Sequence, residues 1–175
     1  MAVSDTHGHT GSLIAALNWG KKHKVDVLAF LGDGTADLPE AAAAAGFTAP
    51  LKIVRGNTDG DTSFPYIETL DFAGHVFFLT HGHLFGINEG PGALSVAAKS
   101  AGCGAALYGH THIPFWEEIA GILVLNPGSA GRPRSAIGAS FATIECPPGK
   151  WFIIRYWGIS HGKTIREIGD LQGGY

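Results

Sequence analysis

The sequence predicts an α/β fold in one domain, with an alternating strand–helix beginning packed against a more antiparallel sheet. Three observations predict it. The chain has 175 residues, 45% hydrophobic and 15% charged, which suits one packed core and argues against disorder. Through the first third, short apolar runs alternate with helical patterns, the signature of βαβ units. Beyond that, apolar runs come in pairs separated by glycine-containing turns, the pattern of hairpins.

A first strand, Ala2-Val3-Ser4, opens the chain. Residues 10–24 read as a helix, with Leu13, Ile14 and Leu17 on one face. Thr10 or Ser12 is suited to cap its start, and Lys21, Lys22 and Lys24 suit the negative end of its dipole. Residues 25–31 form an apolar, partly β-branched run, a buried strand. Residues 36–45 predict a second helix stopped by Gly46, and its run Ala41 to Ala45 is helix propensity alone. Residues 51–54 predict another strand, giving right-handed crossovers and a parallel sheet. Next, 66–72 and 76–80 flank Ala73-Gly74-His75. A helix near 91–101 precedes a strand at 105–108. Strands 117–119 and 122–125 flank Ala120-Gly121, and 141–146 and 151–156 flank Pro147-Pro148-Gly149. Residues 1–168 are expected to form the domain and 169–175 a loose tail.

Composition excludes several classes. No apolar run approaches the ~18 residues of a membrane span. No basic stretch leads into an apolar one at the start, so no secretory signal is expected. A net charge of −3 argues against general nucleic-acid binding. Cys103 and Cys146 stand alone, without CxxC spacing, which predicts free thiols in a reducing, cytoplasmic setting. The apolar lean is compatible with a homodimer. Phe115, Trp116, Trp151, Phe152, Tyr156 and Trp157 are expected in the core or at such an interface rather than as a platform for bases.

The chemistry lies where strands end. Nine histidines are the compositional oddity, and five of them fall in spaced pairs: Asp5-x-His7, His81-x-His83 and His110-x-His112. Asp33 follows the strand at 25–31, and Asn57 and Asp59 follow that at 51–54. Strand carboxyl ends in open α/β sheets converge on one crevice, and residues two apart on extended chain point the same way. Oxygen and imidazole donors without thiolate suit Mn²⁺, Fe²⁺, Zn²⁺ or Co²⁺ more than a structural zinc. Seven strong donors, Asp5, His7, Asp33, Asn57, His81, His110 and His112, exceed what one ion takes, so two ions with Asp33 between them are expected. Two divalent ions, two carboxylates and a bridging hydroxide leave a net positive site, which suits a phosphoryl group. The implied reaction is hydrolysis of a phosphate ester by attack of that hydroxide.

Singly these residues read otherwise. Asp5, Asp33 and Asn57 are turn or cap residues when taken alone, and His23, His75 and His161 read as surface or turn histidines. His9 reads as helix-start chemistry. Jointly, chance does not place the seven donors at strand ends.

The series Ser4-Asp5-Thr6-His7-Gly8, Gly32-Asp33, Gly56-Asn57-Thr58-Asp59, His81-Gly82-His83 and Gly109-His110-Thr111-His112 resembles the motif set of the calcineurin-like metallophosphoesterases. Asn126-Pro127-Gly128-Ser129 with Arg132-Pro133-Arg134 is similar to the small YfcE-like phosphodiesterase branch. The likeness runs from residue 3 to about 134; together the motifs are specific, singly each is weak. It implies a four-layer α/β/β/α sandwich of two mixed sheets flanked by helices. It also implies two divalent ions, manganese foremost, with iron, zinc, cobalt and nickel as alternatives. By residue it implies Asp5, His7 and His112 on one ion, Asn57, His81 and His110 on the other, and Asp33 between. The candidate catalytic residues are Asp33, Asn57, Thr58, Asp59 and His83. His83 stands between support of a neighbouring ligand and contact with substrate. Asn126 and Ser129 stand between a turn and phosphate binding, and Arg132 and Arg134 between surface charge and phosphate contact.

Three departures carry expectations. Thr58 stands where many members have a histidine that protonates the leaving group, and a hydroxyl is a poor acid near neutrality. Substrates with good leaving groups, such as aryl diesters, are therefore expected to be preferred. GDxxD spacing is absent after Asp33, although Asp37 is close. Only three residues precede Ser4. A catalytically weak, protein-binding scaffold like the retromer subunit of this branch is the alternative function, and the full donor set argues against it. A metallo-β-lactamase-type hydrolase requires His-x-His followed closely by Asp-His, which neither pair here has.

Overall fold

In the computed structural model, which describes residues 1–161 and 163–169, two mixed sheets lie face to face with helices on both outer surfaces. The first sheet runs β11-β10-β9-β1-β2-β3 and the second β4-β5-β6-β8-β7. Their strands are β1 (Ala2–Val3), β2 (Leu28–Phe30), β3 (Leu51–Ile53), β4 (Ile67–Phe72), β5 (His75–Thr80), β6 (Ala105–Leu107), β7 (Pro114–Ile119), β8 (Ile122–Pro127), β9 (Ala139–Glu145), β10 (Ile153–Ser160) and β11 (Thr164–Ile168). Helices α1 (Thr10–Lys22) and α2 (Leu38–Ala45) cover the first sheet, and α3 (Gly92–Ser100) covers the second.

Strand alternation builds the layers. Val3, Leu28 and Phe30 face the helix side with Leu13, Leu17 and Phe141. Ala2, Ala29 and Leu31 turn the other way and meet Phe77, Leu79, Leu107, Leu123 and Leu125 between the sheets. Phe78, Ala106, Tyr108 and Val124 emerge on the far face against Leu94 and Ala98 of α3. Period-two side chains that are apolar on both faces are what sheets covered on both sides require. The four-layer α/β/β/α order follows.

Several elements differ from the sequence expectation. The second sheet has a parallel centre, with Phe77 opposite Ala105 and Ala105 opposite Leu123, because α3 carries a crossover from β5 to β6 and β7 pairs outward at the edge. The β9–β10 hairpin leaves this sheet and pairs antiparallel with β1 (Ala2 opposite Ala142). Local turn signals fix a hairpin but not the sheet it joins. β11 was not expected; it pairs with β10 and is charged enough to read as loop, yet Ile165 and Ile168 pack on opposite sides of the sheet. β2 is shorter than 25–31, since Lys24 takes φ 55° and the Val25 N–H folds back to Gly20 O. Neither Thr10 nor Ser12 caps α1; His9 holds that position without a side-chain bond. Gly46 does end α2, at φ 56°. Residues 170–175 of the expected tail lie outside the described residues.

Candidate metal centre

Every predicted donor follows a strand that has at least one parallel neighbour. Asp5 and His7 follow β1, Asp33 follows β2, Asn57 to Asp59 follow β3, His81 and His83 follow β5, and His110 and His112 follow β6. The carboxyl ends of these strands meet at one edge of the sandwich. Sharp turns there place Asp5, His7, Asp33, His110 and His112 at φ of 57°, 44°, 55°, 68° and 62°. Left-handed backbone costs a non-glycine residue of order 1–3 kcal/mol and collects at functional sites. Close approach matters too. A Cβ on Gly56 would run into the Asp33 carboxylate, and one on Gly109 into Ser4 Oγ and Asp5 Oδ2.

Two donor groups result. Asp5, His7 and His112 form one, and Asp5, Asp33 and His81 the other, each with ligand atoms within 4.8 Å of one another. His112 Nε2 lies 3.1 Å from Asp5 Oδ1 and 3.2 Å from His7 Nε2. His81 Nε2 lies 3.4 Å from Asp33 Oδ2 and 3.9 Å from Asp5 Oδ1. His7 Nε2 is 3.6 Å from Asp33 Oδ2. His110 donates its backbone N–H to Asp5 Oδ2 at 3.1 Å, and its ring centroid is 5.2 Å from that of His81. Asn57 is exposed on the adjoining turn.

Backbone carbonyls set the histidine tautomers. His81 Nδ1 lies 2.7 Å from Leu31 O, and His112 Nδ1 2.5 Å from Arg132 O. Both therefore carry their proton on Nδ1 when neutral and turn an Nε2 lone pair toward the carboxylates. Asp5 Oδ1 and His81 Nε2 are buried and have no hydrogen-bond partner among the described residues. Lone pairs facing lone pairs in a buried site are costly unless a proton or a cation lies between them. The donor set fits divalent metal ions on that ground.

The charges are poised accordingly. Burial opposes ionisation of Asp33, but His81 and the N–H and hydroxyl of Thr58 outweigh it and hold the carboxyl far below its usual range. Burial also disfavours the His81 and His112 cations, yet neighbouring carboxylates turn both pKa values upward. His7, His83 and His110 are lowered, chiefly by burial.

Around this centre the remaining candidates divide. Asp59 accepts N–H groups from Asp33, Gly34, Thr35 and Gly56 at 2.8–2.9 Å, so its carboxylate is committed to backbone. Thr58 donates its N–H to Asp33 Oδ1 at 2.9 Å. Asn126 and Ser129, open between turn and phosphate contact in the sequence, are fully buried. Asn126 Nδ2 donates to Gly109 O at 2.6 Å, and Ser129 Oγ to Asp5 O at 2.7 Å. Both brace the donor loops from behind. Arg132 and Arg134 are exposed beside His112, and the Arg134 N–H reaches His112 O at 3.2 Å. Asp37, off the expected spacing, engages Thr6 Oγ1 and accepts the Gly8 N–H at 2.9 Å. Sequence reasoning missed Asn88, whose Nδ2 lies 3.4 Å from His110 Nε2, and Arg55, two residues before Asn57. No spacing pattern marks either.

Comparison with known proteins places these motifs in a wider set. The calcineurin-like phosphoesterase superfamily domain matches residues 1–148. The "Probable metallophosphoesterase YsnB" of Bacillus subtilis is 29% identical over 98% of this chain and 95% of its own length. "Phosphodiesterase YfcE" of Escherichia coli K12 is 29% identical over 83% and 86%. Among solved structures, a conserved uncharacterized protein (predicted phosphoesterase) from Streptococcus pneumoniae TIGR4 superposes with a TM-score of 0.75 at 25% identity, covering 95% of this chain and 94% of that one. A zinc-complexed Vps29 from Entamoeba histolytica superposes at 0.71 with 20% identity, over 95% and 96%, a likeness of fold alone.

Proposed function

Because the chain belongs to the calcineurin-like phosphoesterase superfamily, we propose that it is a metal-dependent phosphodiesterase whose centre lies at the shared carboxyl edge of the two sheets. The observation that carries this reading is the pair of donor groups sharing Asp5, with Asp5 Oδ1 and His81 Nε2 buried and unpartnered among the described residues. In this reading Asp5, His7 and His112 hold one divalent ion, and Asn57, His81 and His110 the other, with Asp33 between. Bound ions of this kind supply Lewis acidity toward phosphoryl oxygens and lower the pKa of water. The absence of thiolate donors favours manganese, with iron, zinc, cobalt and nickel as the other candidates.

The chain's own groups do the rest. Leu31 O and Arg132 O keep the Nε2 lone pairs of His81 and His112 turned inward. Asp59 fixes the Asp33 loop through four backbone N–H groups. Arg132 and Arg134 bring positive charge to the rim, suited to phosphate oxygens. Thr58 has no proton to give near neutral pH, so good leaving groups are favoured. Among the described residues no helix is long and apolar enough to cross a membrane, and the free thiols Cys103 and Cys146 support a cytoplasmic setting.

Metal analysis together with hydrolysis of bis(4-nitrophenyl) phosphate tests the reading. Two equivalents of metal are expected, with turnover in Mn²⁺ that Asp33→Asn abolishes. Failure to take up divalent ions overturns it. Ion uptake without hydrolysis of any diester overturns the enzymatic part in favour of a protein-binding scaffold.

A further inference from the structure

Beside the metal centre sits a group of side chains that the hydrolytic reading leaves unused. Arg55 follows β3, two residues before Asn57, and its guanidinium carbon lies 3.9 Å from the ring centroid of Tyr66. Tyr66 meets His83 edge to face at 5.3 Å. His83 in turn lies 5.6 Å from His81 and 6.2 Å from His110, centroid to centroid. The three side chains thus form a continuous path from the donor imidazoles outward to a guanidinium.

Two nitrogens along this path lack a partner among the described residues. Arg55 Nε and His83 Nδ1 are both buried there without a hydrogen bond. Among the described residues Arg55 makes no ion pair within 4.0 Å; the exposed Asp61 feels its charge without pairing to it. A buried N–H donor that goes unpaired is costly, more so when charged. Stacking on Tyr66 holds the guanidinium plane in place, and its N–H edge suits an oxyanion. The backbone reinforces this, because the Arg55 N–H donates to Pro65 O at 2.9 Å. That bond fixes Arg55 and Tyr66 together at the neck of the loop carrying Asn57 and Thr58.

We propose that Arg55, Tyr66 and His83 form a specificity subsite for an anionic group on the non-leaving arm of the diester. The Arg55 guanidinium, only half-buried as a whole, offers its remaining N–H groups to that anion with His83 alongside, and Tyr66 packs against the ring that carries it. The assignment rests on the phosphodiesterase reading of the neighbouring centre.

The test holds the leaving group constant. 4-Nitrophenyl phenyl phosphate is compared with 4-nitrophenyl 4-carboxyphenyl phosphate, in Mn²⁺. The wild type is expected to favour the carboxylate substrate about tenfold in kcat/KM, mostly through KM. Arg55→Gln brings that ratio to about one, and Arg55→Lys restores part of it. If Arg55 merely pins the loop, both substrates suffer alike and the ratio stays put, which overturns the subsite. Binding supplies a readout independent of turnover. Calorimetry on the metal-loaded protein is expected to give at least about fivefold tighter binding of 4-carboxyphenylphosphonate than of phenylphosphonate, lost in Arg55→Gln. Equal binding of the two by the wild type sinks the subsite even where hydrolysis proceeds. Selective binding without hydrolysis would sustain the subsite and sink the phosphodiesterase reading instead.

Discussion

The Asp59 carboxylate accepts the backbone N–H of Asp33 at 2.8 Å, so the last residue of the Gly-Asn-Thr-Asp turn holds in place the loop that carries the Asp33 carboxylate. Three further N–H groups complete its coordination. Charge-assisted bonds of this kind are worth about 1.5–3 kcal/mol each, and an amide retains only one of the two accepting oxygens. Asp59→Asn is expected to destabilise the metal-free protein by about 2–3 kcal/mol, read by urea unfolding. Burial opposes ionisation of Asp59, yet the backbone N–H groups outweigh it and its pKa is lowered. Its stabilising contribution is therefore complete above the unfolded value of about 3.9 and is lost as pH falls toward the folded value. The acid limb of the stability profile should be shallower in Asp59→Asn; an identical limb would refute the assignment.

Metal uptake should stabilise the fold. Divalent ion at about 100 times its dissociation constant contributes roughly 2.7 kcal/mol, seen as a rise in Tm that chelator reverses. Gly109→Ala places a methyl group against Ser4 Oγ and Asp5 Oδ2. It should cost at least about tenfold in metal affinity while the protein still folds. Wild-type affinity in a folded Gly109→Ala protein would show that the Asp5 position is not critical.

Thr58→His adds an acid beside Asp33. General acid help is worth about 10²–10⁴-fold where the leaving group is poor. A methyl or nucleoside arm should gain about 10²-fold, and a 4-nitrophenyl arm under about tenfold. Equal gains on both would mean that leaving-group protonation is not what Thr58 lacks.

Tyr156 is buried, its hydroxyl 2.6 Å from Phe115 O and 2.9 Å from Asn126 O. Burial, with help from Tyr108, pushes its pKa well above the ordinary value. A raised pKa contributes stability that is whole below the unfolded value of about 10 and drains away as pH rises past it. Tyr156→Phe should lower stability at neutral pH by about 1–3 kcal/mol and flatten the decline above about pH 10. Unfolding midpoints measured between pH 8 and 11 decide this; parallel curves would exclude it.

Much of this architecture was legible in the sequence because its signals are local. Polar donors directly after apolar runs, with glycines beside them, placed Asp5, Asp33, His81 and His110 at strand ends, and the sheets bring those ends to one edge. Sheet assignment was not legible. Whether β9 pairs with β8 or with β1 depends on contacts between residues far apart in the chain, such as Ala2 with Ala142, and no turn residue encodes that choice. The roles of Asn126 and Ser129 were hidden for the same reason, since their partners Gly109 and Asp5 lie on other loops. Arg55 carried no motif at all; only its stacking on Tyr66 and the proximity of His83 reveal it.

The pairing of β1 with β9 also bears on how the chain comes together. β1 is two residues long and lies between β2 and β9, so it waits for a strand far downstream in the chain before its sheet closes. Until β9 is made, β1 keeps one unpaired edge, and nascent chains with open strand edges are prone to aggregate. Such distant pairing slows folding. A fragment ending near residue 134 would keep all seven proposed ligands and still lack the strand that seals them, so it should emerge insoluble or bound by chaperones.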